Sequence, residues 1–508
     1  MSLSYTGKGR KRRLAAAGLV LAALLGLAVP AGAAGTYKSY IYDQRGEPVA
    51  APELYTFDRT VSGQSLGLSA LSKPADLFTD REGRVYLADS GNHRILILNG
   101  RLELERVIET VTVDGAEETL NNPQGVFVTA SGDLYIADTG NERVLALRPD
   151  GTVFRVYAKP EAAIYPQQTA FSPSKLAVDR AGSLYVVCSN VFQGLVSYDA
   201  EGEFTGFFGS NPVELTLNQQ LARLWRNLFT EEQNAAMQQA LPVEYANVYI
   251  GADNFLYTAT RSTQNSLDEI KKMNALGENV LRFDDSGVFY QKNDFGDLKK
   301  GRLRGNTIDS RFEDVLADDS GLLYALDAER CRVFVYDDEC NLLGVVGGEG
   351  EQQGTTRQPS AVEKCGDSLL VLDSDKGTLT AYSLTDYGRL LLEARALYQE
   401  GHYDESLSLW QQVARRNANL PMAYRSIGKI YYMSGEYTQA MEQFRLCEDR
   451  DSYSQAYREV RKAFVRENLL WLLLGGLAAV VVLNRLVHGF LVYTGARPRR
   501  ERRRRRRG

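Results

Sequence analysis

The chain has 508 residues, of which 44% are apolar and 24% charged. This length exceeds what a single hydrophobic core usually serves, so several modules are predicted. The formal net charge is −5, but residues 1–13 carry five Lys and Arg, and residues 497–507 carry nine Arg against one Glu. Without this basic excess of 13, the remainder carries about −18, which argues against nucleic-acid binding because surfaces that bind DNA or RNA are basic.

The N-terminus has the order of residues that is typical of a secretory signal. Basic KGRKRR precedes the apolar run Leu14–Val29, and small residues follow in PAGAAG. We therefore predict a signal peptide at residues 1–34, with cleavage near Ala33. An uncleaved membrane anchor is the alternative. No cysteine precedes Cys188, so a lipid-anchored form of the signal is not predicted.

A unit with β-strand character recurs six times after the signal. Its marker residue is Tyr86, Tyr135, Tyr185, Tyr257, Tyr324 and, in the sixth copy, Leu370. About twelve residues before each marker comes the predicted start of a strand, at Pro74, Pro123, Pro173, Tyr245, Phe312 and Pro359. Marker intervals of 49, 50 and 46 residues accommodate four short strands and their turns, as in a propeller blade. A ring packs each blade between two neighbours, so we predict an all-β six-bladed propeller at residues 35–387.

The sixth copy shows only three strands before the sequence becomes helical. The ring must be closed, and the segment that follows the signal offers two candidate strands, YKSYIYDQRGEP and LYTFDRTV. We predict that one of them supplies the fourth strand of blade six.

The stretch PQGVFVTASGDLYIADTGNERVLAL, residues 123–147, resembles NHL repeats, which form six-bladed propellers. The resemblance covers roughly residues 36–387; it is specific in the first two copies and looser in the others, where Cys188 and Thr260 replace an aspartate. The repeated turn residues are Asp89, Asn92 and Arg94, Asp138, Asn141 and Arg143, Asp327 and Arg332, and Asp373. Their recurrence favours a structural role: the aspartate accepts backbone N–H groups, the arginine pairs with it, and the asparagine adopts the left-handed conformation.

Some six-bladed propellers that resemble this chain are lyases or lactonases with a metal in the central channel. The three histidines, His93, His402 and His488, fall in three different modules, which excludes an all-histidine zinc site in the propeller. We see no nucleophile elbow, phosphate loop or HExxH, so no catalytic residue, metal ligand or cofactor is predicted. A Ca²⁺ site built from carboxylates and carbonyls stays open, and a calcium-dependent lactonase-like hydrolase is the alternative function.

The five cysteines are odd in number and scattered, which does not indicate a disulfide framework. At most one pair, Cys340 with Cys365, is considered, and buried thiols are expected for most of the others.

Two insertions flank blade four. The first, residues 213–241, has leucines spaced for one helical face and is predicted to form a helical hairpin. Its Arg223, Trp225 and Arg226 are candidate ligand- or partner-binding residues, because Trp and Arg are enriched at binding hot spots. Capping of the channel is the alternative role. The second insertion, Ser262–Gly277, is polar and is predicted to be a loop or a short helix.

Residues 388–467 are predicted to be all-α. Gly401 and Gly435, like Tyr403 and Tyr437, lie 34 residues apart, the period of tetratricopeptide (TPR) repeats. We predict two TPR-like repeats that bind protein partners, with a spacer as the alternative. A final helix, residues 454–467, is predicted to continue into the membrane.

Residues 468–493 are predicted to form one transmembrane helix. Leu469–Leu483 is uncharged and spans ~22 Å, so Arg485 would lie near the inner boundary, where its stem can extend to the headgroups. The arginines of the tail, residues 494–508, place that tail in the cytoplasm and the body outside.

The complete architecture resembles bacterial surface proteins that combine NHL and TPR repeats. This resemblance implies a membrane-anchored, extracytoplasmic binding or scaffold protein that recognises a protein or a carbohydrate-type ligand. Propeller loops and the TPR-like arm would bind protein partners, and the C-terminal helix would bind the membrane. An accessory role in solute or polysaccharide uptake, or in surface assembly, is compatible with it.

Overall fold

A computed structural model describes residues 37–43, 47–209, 244–260, 269–281, 295–297 and 310–494. The chain divides into two compact units, Met1–Arg389 and Leu390–Gly508. The predicted signal peptide, the insertion at 213–241 with Arg223, Trp225 and Arg226, and the tail from residue 495 lie outside the described residues.

The first unit contains 27 described strands. The N-terminal strands are β1 (Tyr40–Tyr42), β2 (Pro48–Ala50) and β3 (Tyr55–Ser62). Blade one comprises β4 (Asp76–Thr79), β5 (Val85–Asp89), β6 (Arg94–Leu98) and β7 (Leu104–Ile108), and a hairpin of β8 (Thr110–Val113) and β9 (Ala116–Thr119) follows it. Blade two comprises β10 (Pro123–Val128), β11 (Leu134–Asp138), β12 (Arg143–Leu147) and β13 (Val153–Tyr157).

The remaining blades follow in chain order. Blade three comprises β14 (Pro173–Val178), β15 (Leu184–Cys188), β16 (Leu195–Tyr198) and β17 (Phe204–Phe208). The described strands of blade four are β18 (Tyr245–Ile250), β19 (Leu256–Thr260) and β20 (Ile270–Met273). Blade five comprises β21 (Phe312–Ala317), β22 (Leu323–Asp327), β23 (Arg332–Tyr336) and β24 (Leu342–Gly347). Blade six adds β25 (Pro359–Cys365), β26 (Ser368–Asp373) and β27 (Thr378–Leu384).

Six antiparallel sheets form a closed ring, which confirms the predicted propeller. The first strand of each blade is innermost, and these strands neighbour one another in the order β4, β10, β14, β18, β21 and β25, with β25 next to β4. Five of the six predicted strand starts are correct to the residue, and β4 begins two residues after Pro74.

The fourth strand of blade six is β3, from the N-terminal end of the described chain. It pairs antiparallel with β27, from Ser62 opposite Thr378 to Tyr55 opposite Leu384. The predicted closure is therefore confirmed, with LYTFDRTV as the closing segment. The other candidate forms the β1–β2 hairpin, which lies against β24 of blade five instead. There the Ser39 hydroxyl accepts the backbone N–H of Val345 at 3.1 Å.

The core lies between blades, as the period-2 pattern of each strand requires. In β5, Val85 and Leu87 pack towards blade six, whereas Tyr86 and Ala88 pack towards blade two. Each sheet thus buries both faces only because a neighbouring blade lies on each side.

The prediction for Ser262–Gly277 was wrong in part, because Ile270–Met273 is strand β20. Ile270 and Met273 are buried, and Lys272 between them lies over the ring of Phe255, with its Nζ 4.7 Å from the centroid. It also pairs with Asp253 at 2.7 Å. Its aliphatic stem thus covers apolar surface. This packing is not evident in the sequence, where the segment has mostly polar residues.

The second region is helical. Its helices are α1 (Asp386–Gln399), α2 (Tyr403–Arg416), α3 (Pro421–Met433), α4 (Tyr437–Leu446) and α5 (Arg450–Tyr493). Helices α2 and α4 begin 34 residues apart. Gly428 of α3 permits close packing, because a Cβ atom there would lie 2.7 Å from the ring of Phe444 in α4.

Helix α5 continues without a break for 44 residues, so the predicted continuation into an apolar helix is confirmed. Its N-cap is Asp449, which accepts the backbone N–H of Ser452 at 3.0 Å. It is the one helix within the described residues that is long and apolar enough to cross a membrane, and its apolar segment is not buried by protein.

Candidate functional site

The repeated aspartates tie each turn between the second and third strands to the loop that enters the blade. Asp89 accepts the backbone N–H of Ser72 and the side chain of Arg94, both at 2.8 Å. Asp138 does the same with Asn121 and Arg143, at 2.7 and 2.9 Å. Asp89, Asp138, Asp327 and Asp373 are fully buried. These contacts are those of structural turns.

The prediction for the two asparagines was wrong. The left-handed residues are the following ones, His93 with φ 56° and Glu142 with φ 53°. Asn92 instead donates from its side-chain amide to Asp89 and to the carbonyl of Ala70, both at 2.8 Å. Asn141 donates in the same way to Asp138 and Thr119. The asparagine therefore contributes an amide donor rather than backbone freedom.

Blade five departs from the pattern of blades one and two. The side chain of Arg332 pairs with Asp297 at 3.4 Å and donates to the hydroxyl of Tyr40. Asp327 still accepts the backbone N–H of Arg311 at 3.0 Å, so the aspartate keeps its place while the arginine binds elsewhere. Asp373 of blade six accepts the backbone N–H groups of Arg357, Asp375 and Lys376.

A funnel opens at the end of the central channel where the first strand of each blade turns into the second. Its volume is about 1270 Å³. All six blades line it, through Asp80, Thr129, Asp179, Gly251, Asp318 and Lys364 among others. We call this cavity the funnel.

A second series of aspartates, which the sequence analysis missed, shapes the funnel rim. Asp80, Asp179 and Asp318 each stand six residues before a marker tyrosine and accept its hydroxyl at 3.3 Å. Each also accepts backbone N–H groups of its own turn, as Asp318 does from Ser320 and Leu322. In the sequence these aspartates belong to the pattern D-x-x-G-x-x-Y, which occurs in three copies. The marker tyrosine therefore binds a turn aspartate as well as packing in the blade.

One residue of each innermost strand occupies an equivalent position, ten residues before the marker in blades one to five. Lys175 of blade three and Asp76 of blade one meet from these positions across the channel. We call the six residues at this position the channel layer: Asp76, Gly125, Lys175, Asn247, Asp314 and Ala361. In blades two to six a bulge lies between the first residue of the innermost strand and this position. Gly125 allows the adjacent blade to approach, because a Cβ atom there would lie 2.5 Å from the carbonyl oxygen of Ser174.

Charged and amide groups of the channel layer bind one another. The Lys175 ammonium forms an ion pair with Asp76 and donates to the carbonyl of Ala75 at 3.1 Å. The Asn247 amide donates to Asp314. The second oxygen of each carboxylate accepts a backbone N–H from the next blade: Asp76 from Val126 at 2.9 Å, and Asp314 from Val362 at 2.7 Å.

Burial is the largest influence on the pKa of both carboxyl groups in this layer. It raises the pKa of Asp314 to about 7, although Lys175 acts in the opposite direction. It also raises the pKa of Asp76 despite the adjacent ammonium. Burial alone lowers the pKa of Lys175, but Asp76 and Asp314 outweigh it and raise that pKa above its usual value.

The funnel floor is aromatic with one carboxyl group. Phe78 and Phe127 contact each other with ring centroids 4.6 Å apart, and Tyr249 and Glu363 line the same cavity. Glu363 is 4% exposed and accepts the backbone N–H of Lys364 at 2.8 Å. Burial, followed by the charges of Asp314 and Asp76, raises its pKa well above the usual range. The floor thus combines aromatic faces with a carboxyl group that pairs with no lysine or arginine among the described residues.

The structure bears on the metal question raised by the sequence. Oxygen-bearing side chains do converge in the channel, but Asp76 and Asp314 are already bonded to Lys175, Asn247 and backbone N–H groups. Across the described residues no group of three or more His, Cys, Asp or Glu is placed to hold a metal ion. All five cysteines are described and none forms a disulfide, so the considered Cys340–Cys365 pair was wrong.

Residues 120–147 match the NHL repeat. A streptogramin B lyase structure is 12% identical with a TM-score of 0.39, and covers 66% of this chain and 100% of its own. Virginiamycin B lyase from Staphylococcus aureus is 11% identical with a TM-score of 0.38, and covers 64% and 99%.

A further solved structure is the extracellular domain of a one-component system from B. thetaiotaomicron. It is 12% identical with a TM-score of 0.36, and the match covers 69% of this chain and 39% of that one. No curated protein shows significant similarity to the chain. The propeller assignment therefore rests on the strand topology of this chain and on its NHL repeat.

Proposed function

We propose that the chain is a membrane-anchored binding protein whose propeller binds its ligand in the funnel. The observation that carries this proposal is the funnel itself: six blades contribute to one concave, partly aromatic cavity of about 1270 Å³. Concave sites with aromatic walls and a few placed polar groups are where proteins usually bind small ligands. The volume suits a small molecule, a short glycan or the end of a longer chain.

A binding role fits the channel layer better than the calcium-dependent hydrolase does. A calcium site needs six or more oxygen ligands that are available to the ion. Here the carboxylate oxygens of Asp76 and Asp314 accept hydrogen bonds from protein donors within the fold. These bonds support a closed floor beneath a ligand site.

The C-terminal helix supports membrane anchoring. Its apolar side chains from Leu469 onward are exposed, with Trp471 at 72%, and nine arginines follow it in the sequence. We propose that this helix spans the membrane, with the arginines on the cytoplasmic side and both units outside.

Protein partners are proposed for the helical unit. Two helix pairs with a 34-residue offset, and the Gly428–Phe444 packing, support the TPR-like interpretation. Arg223, Trp225 and Arg226 stay candidate recognition residues of the insertion. Replacing Arg223 and Arg226 by alanine should weaken capture of whichever partner the intact chain recovers from membranes.

The funnel proposal is tested with the full-length protein in lipid nanodiscs. A panel of neutral, cationic and anionic fragments is screened by saturation-transfer NMR against wild type and the double variant A130W/A252W. Ala130 and Ala252 are exposed rim residues, so indoles there fill the funnel without entering the core. A116W, on the exposed face of the β8–β9 hairpin, is the matched control.

We expect fragments that bind wild type and A116W but not A130W/A252W. Equal binding to all three proteins would show that the funnel is not the ligand site.

A further inference from the structure

We infer that the funnel takes an organic cation, whose ammonium or guanidinium group lies near Glu363 and whose apolar part contacts Phe78, Phe127 and Tyr249. This inference rests on the proposed function, because it names the ligand class of the same cavity. Three features of the described residues support it: the charge of the channel, the charge of the rim and the aromatic floor.

The described part of the channel holds more buried carboxyl groups than buried basic groups. The described channel layer and floor contain three carboxyl groups, those of Asp76, Asp314 and Glu363. They contain one lysine, Lys175, and no arginine. Lys175 pairs with Asp76 and also acts on Asp314, whereas Glu363 forms no ion pair with a lysine or arginine among the described residues. A bound cation would favour the ionised forms of Asp314 and Glu363, since an opposite charge offsets the cost of burying a carboxylate.

The lining of the rim also contains more acidic than basic residues. Its acidic residues are Asp80, Glu82, Asp133, Asp179, Asp318 and Asp319. Its basic residues are Arg81, Arg180 and Lys364, and Lys364 pairs with Asp318 at 2.9 Å. Outside the lining, Arg84 pairs with Asp80 and Glu82, and Arg148 pairs with Asp133. Asp179 and Asp319 are therefore the rim carboxylates for which the described residues show no ion pair. A cavity with an acidic rim and low-dielectric walls concentrates cations and repels anions.

The aromatic floor distinguishes an organic cation from a metal ion. Aromatic faces attract ammonium and guanidinium groups, with the larger gains where the site excludes water. They also contact the apolar part of such a ligand. A metal ion would need several oxygen ligands at once, and the described residues place no such acidic group.

The test compares three probes of similar shape on the full-length protein in nanodiscs: phenethylammonium, 2-phenylethanol and 3-phenylpropionate. Dissociation constants are measured by NMR titration for wild type, E363Q and E201Q. Glu201 is an exposed glutamate outside the funnel, so E201Q is the matched control for loss of one carboxylate.

We expect phenethylammonium to bind wild type about tenfold more tightly than the neutral probe. E363Q should lose about tenfold in affinity for the cation and little for the neutral probe, whereas E201Q should resemble wild type. On wild type alone, raising the salt concentration should weaken binding of the cation and leave the neutral probe unchanged. This measurement tests the inference even if E363Q folds poorly.

The outcomes separate this inference from the proposed function. If the neutral or anionic probe binds the funnel as tightly as the cation, the inference is overturned while funnel binding stands. Failure of phenethylammonium to bind, when other fragments do bind the funnel, also overturns the inference. Equal binding of the cation to A130W/A252W overturns both.

Discussion

Replacing Lys175 by methionine should destabilise the propeller by about 3–5 kcal/mol, because it leaves the buried carboxylate of Asp76 without its ammonium partner. Lys175 is 7% exposed and Asp76 is 6% exposed, so water cannot replace the lost ion pair. The hydrogen bond from the backbone N–H of Val126 to Asp76 remains, which places the expected loss towards the lower end.

The loss can be converted into a melting temperature. The unfolding entropy is about 2.1 cal/mol/K per residue. The melting temperature of a unit of roughly 350 residues therefore falls by about 1.4 °C for each kcal/mol of lost stability. K175M should therefore melt about 4–7 °C below wild type. The assay is differential scanning calorimetry of the full-length protein in detergent.

The loss of stability caused by K175M should depend on pH. Burial already raises the pKa of Asp76 above its ordinary value, and removal of the ammonium raises it further. A carboxyl whose folded pKa exceeds its unfolded pKa costs stability as pH rises between the two values, because the unfolded chain ionises first. The difference in melting temperature between wild type and K175M should consequently be smaller at pH 5 than at pH 8.

Two further variants serve as controls. K364M breaks the Lys364–Asp318 pair at the funnel rim, where Lys364 is more exposed, and should cost only about 1 kcal/mol. D76L/K175M removes both charges and should recover most of the stability, since a buried pair can often be replaced by apolar residues. A melting temperature of K175M within about 1 °C of wild type, or a double variant no more stable than K175M, would refute the reasoning.

Three more expectations concern other parts of the chain. Deletion of residues 36–62 removes β3 and should expose the edge of β27, giving aggregation on size-exclusion chromatography; a monomer with undiminished thermal stability would contradict the pairing. G428A should destabilise the helical unit by about 1–3 kcal/mol through overlap with Phe444, and G428A/F444L should recover part of this in thermal unfolding, whereas an unchanged single variant would contradict the packing. Protease added to wall-stripped cells should remove both units, and protection of residues 36–460 would reverse the proposed orientation.

The sequence was sufficient for the blades because their signal is local and repeated. Marker residues such as Tyr135, a strand start twelve residues earlier and a period-2 pattern all lie within one unit, and the structure has strands there. The closing strand was predictable from the shortfall in blade six. Which of two apolar segments closes the ring was not, because both alternate and only the fold shows that β1 lies against β24.

The funnel and the channel layer could not be predicted from the sequence, for a physical reason. The channel position holds Asp, Gly, Lys, Asn, Asp and Ala in the six blades, so the residue type varies although the position repeats. Lys175 and Asp76 lie 99 residues apart, and their pairing follows from the geometry of the ring rather than from any spacing. The rim aspartates, by contrast, recur as Asp80, Asp179 and Asp318 and could have been found by aligning the copies on the marker tyrosine.

Closure by β3 has a consequence for synthesis of the chain. Ser62 and its partner Thr378 are separated by 316 residues, which a ribosome adding about 5–20 residues per second needs roughly 15–60 s to translate. During this interval β3, the first propeller strand to be synthesised, has no partner strand. Blades one to five can then form only an incomplete ring. The hydrogen bonds between β3 and β27 can form only after blade six has been synthesised, and a chain stalled or cut before blade six would leave β3 without its partner strand.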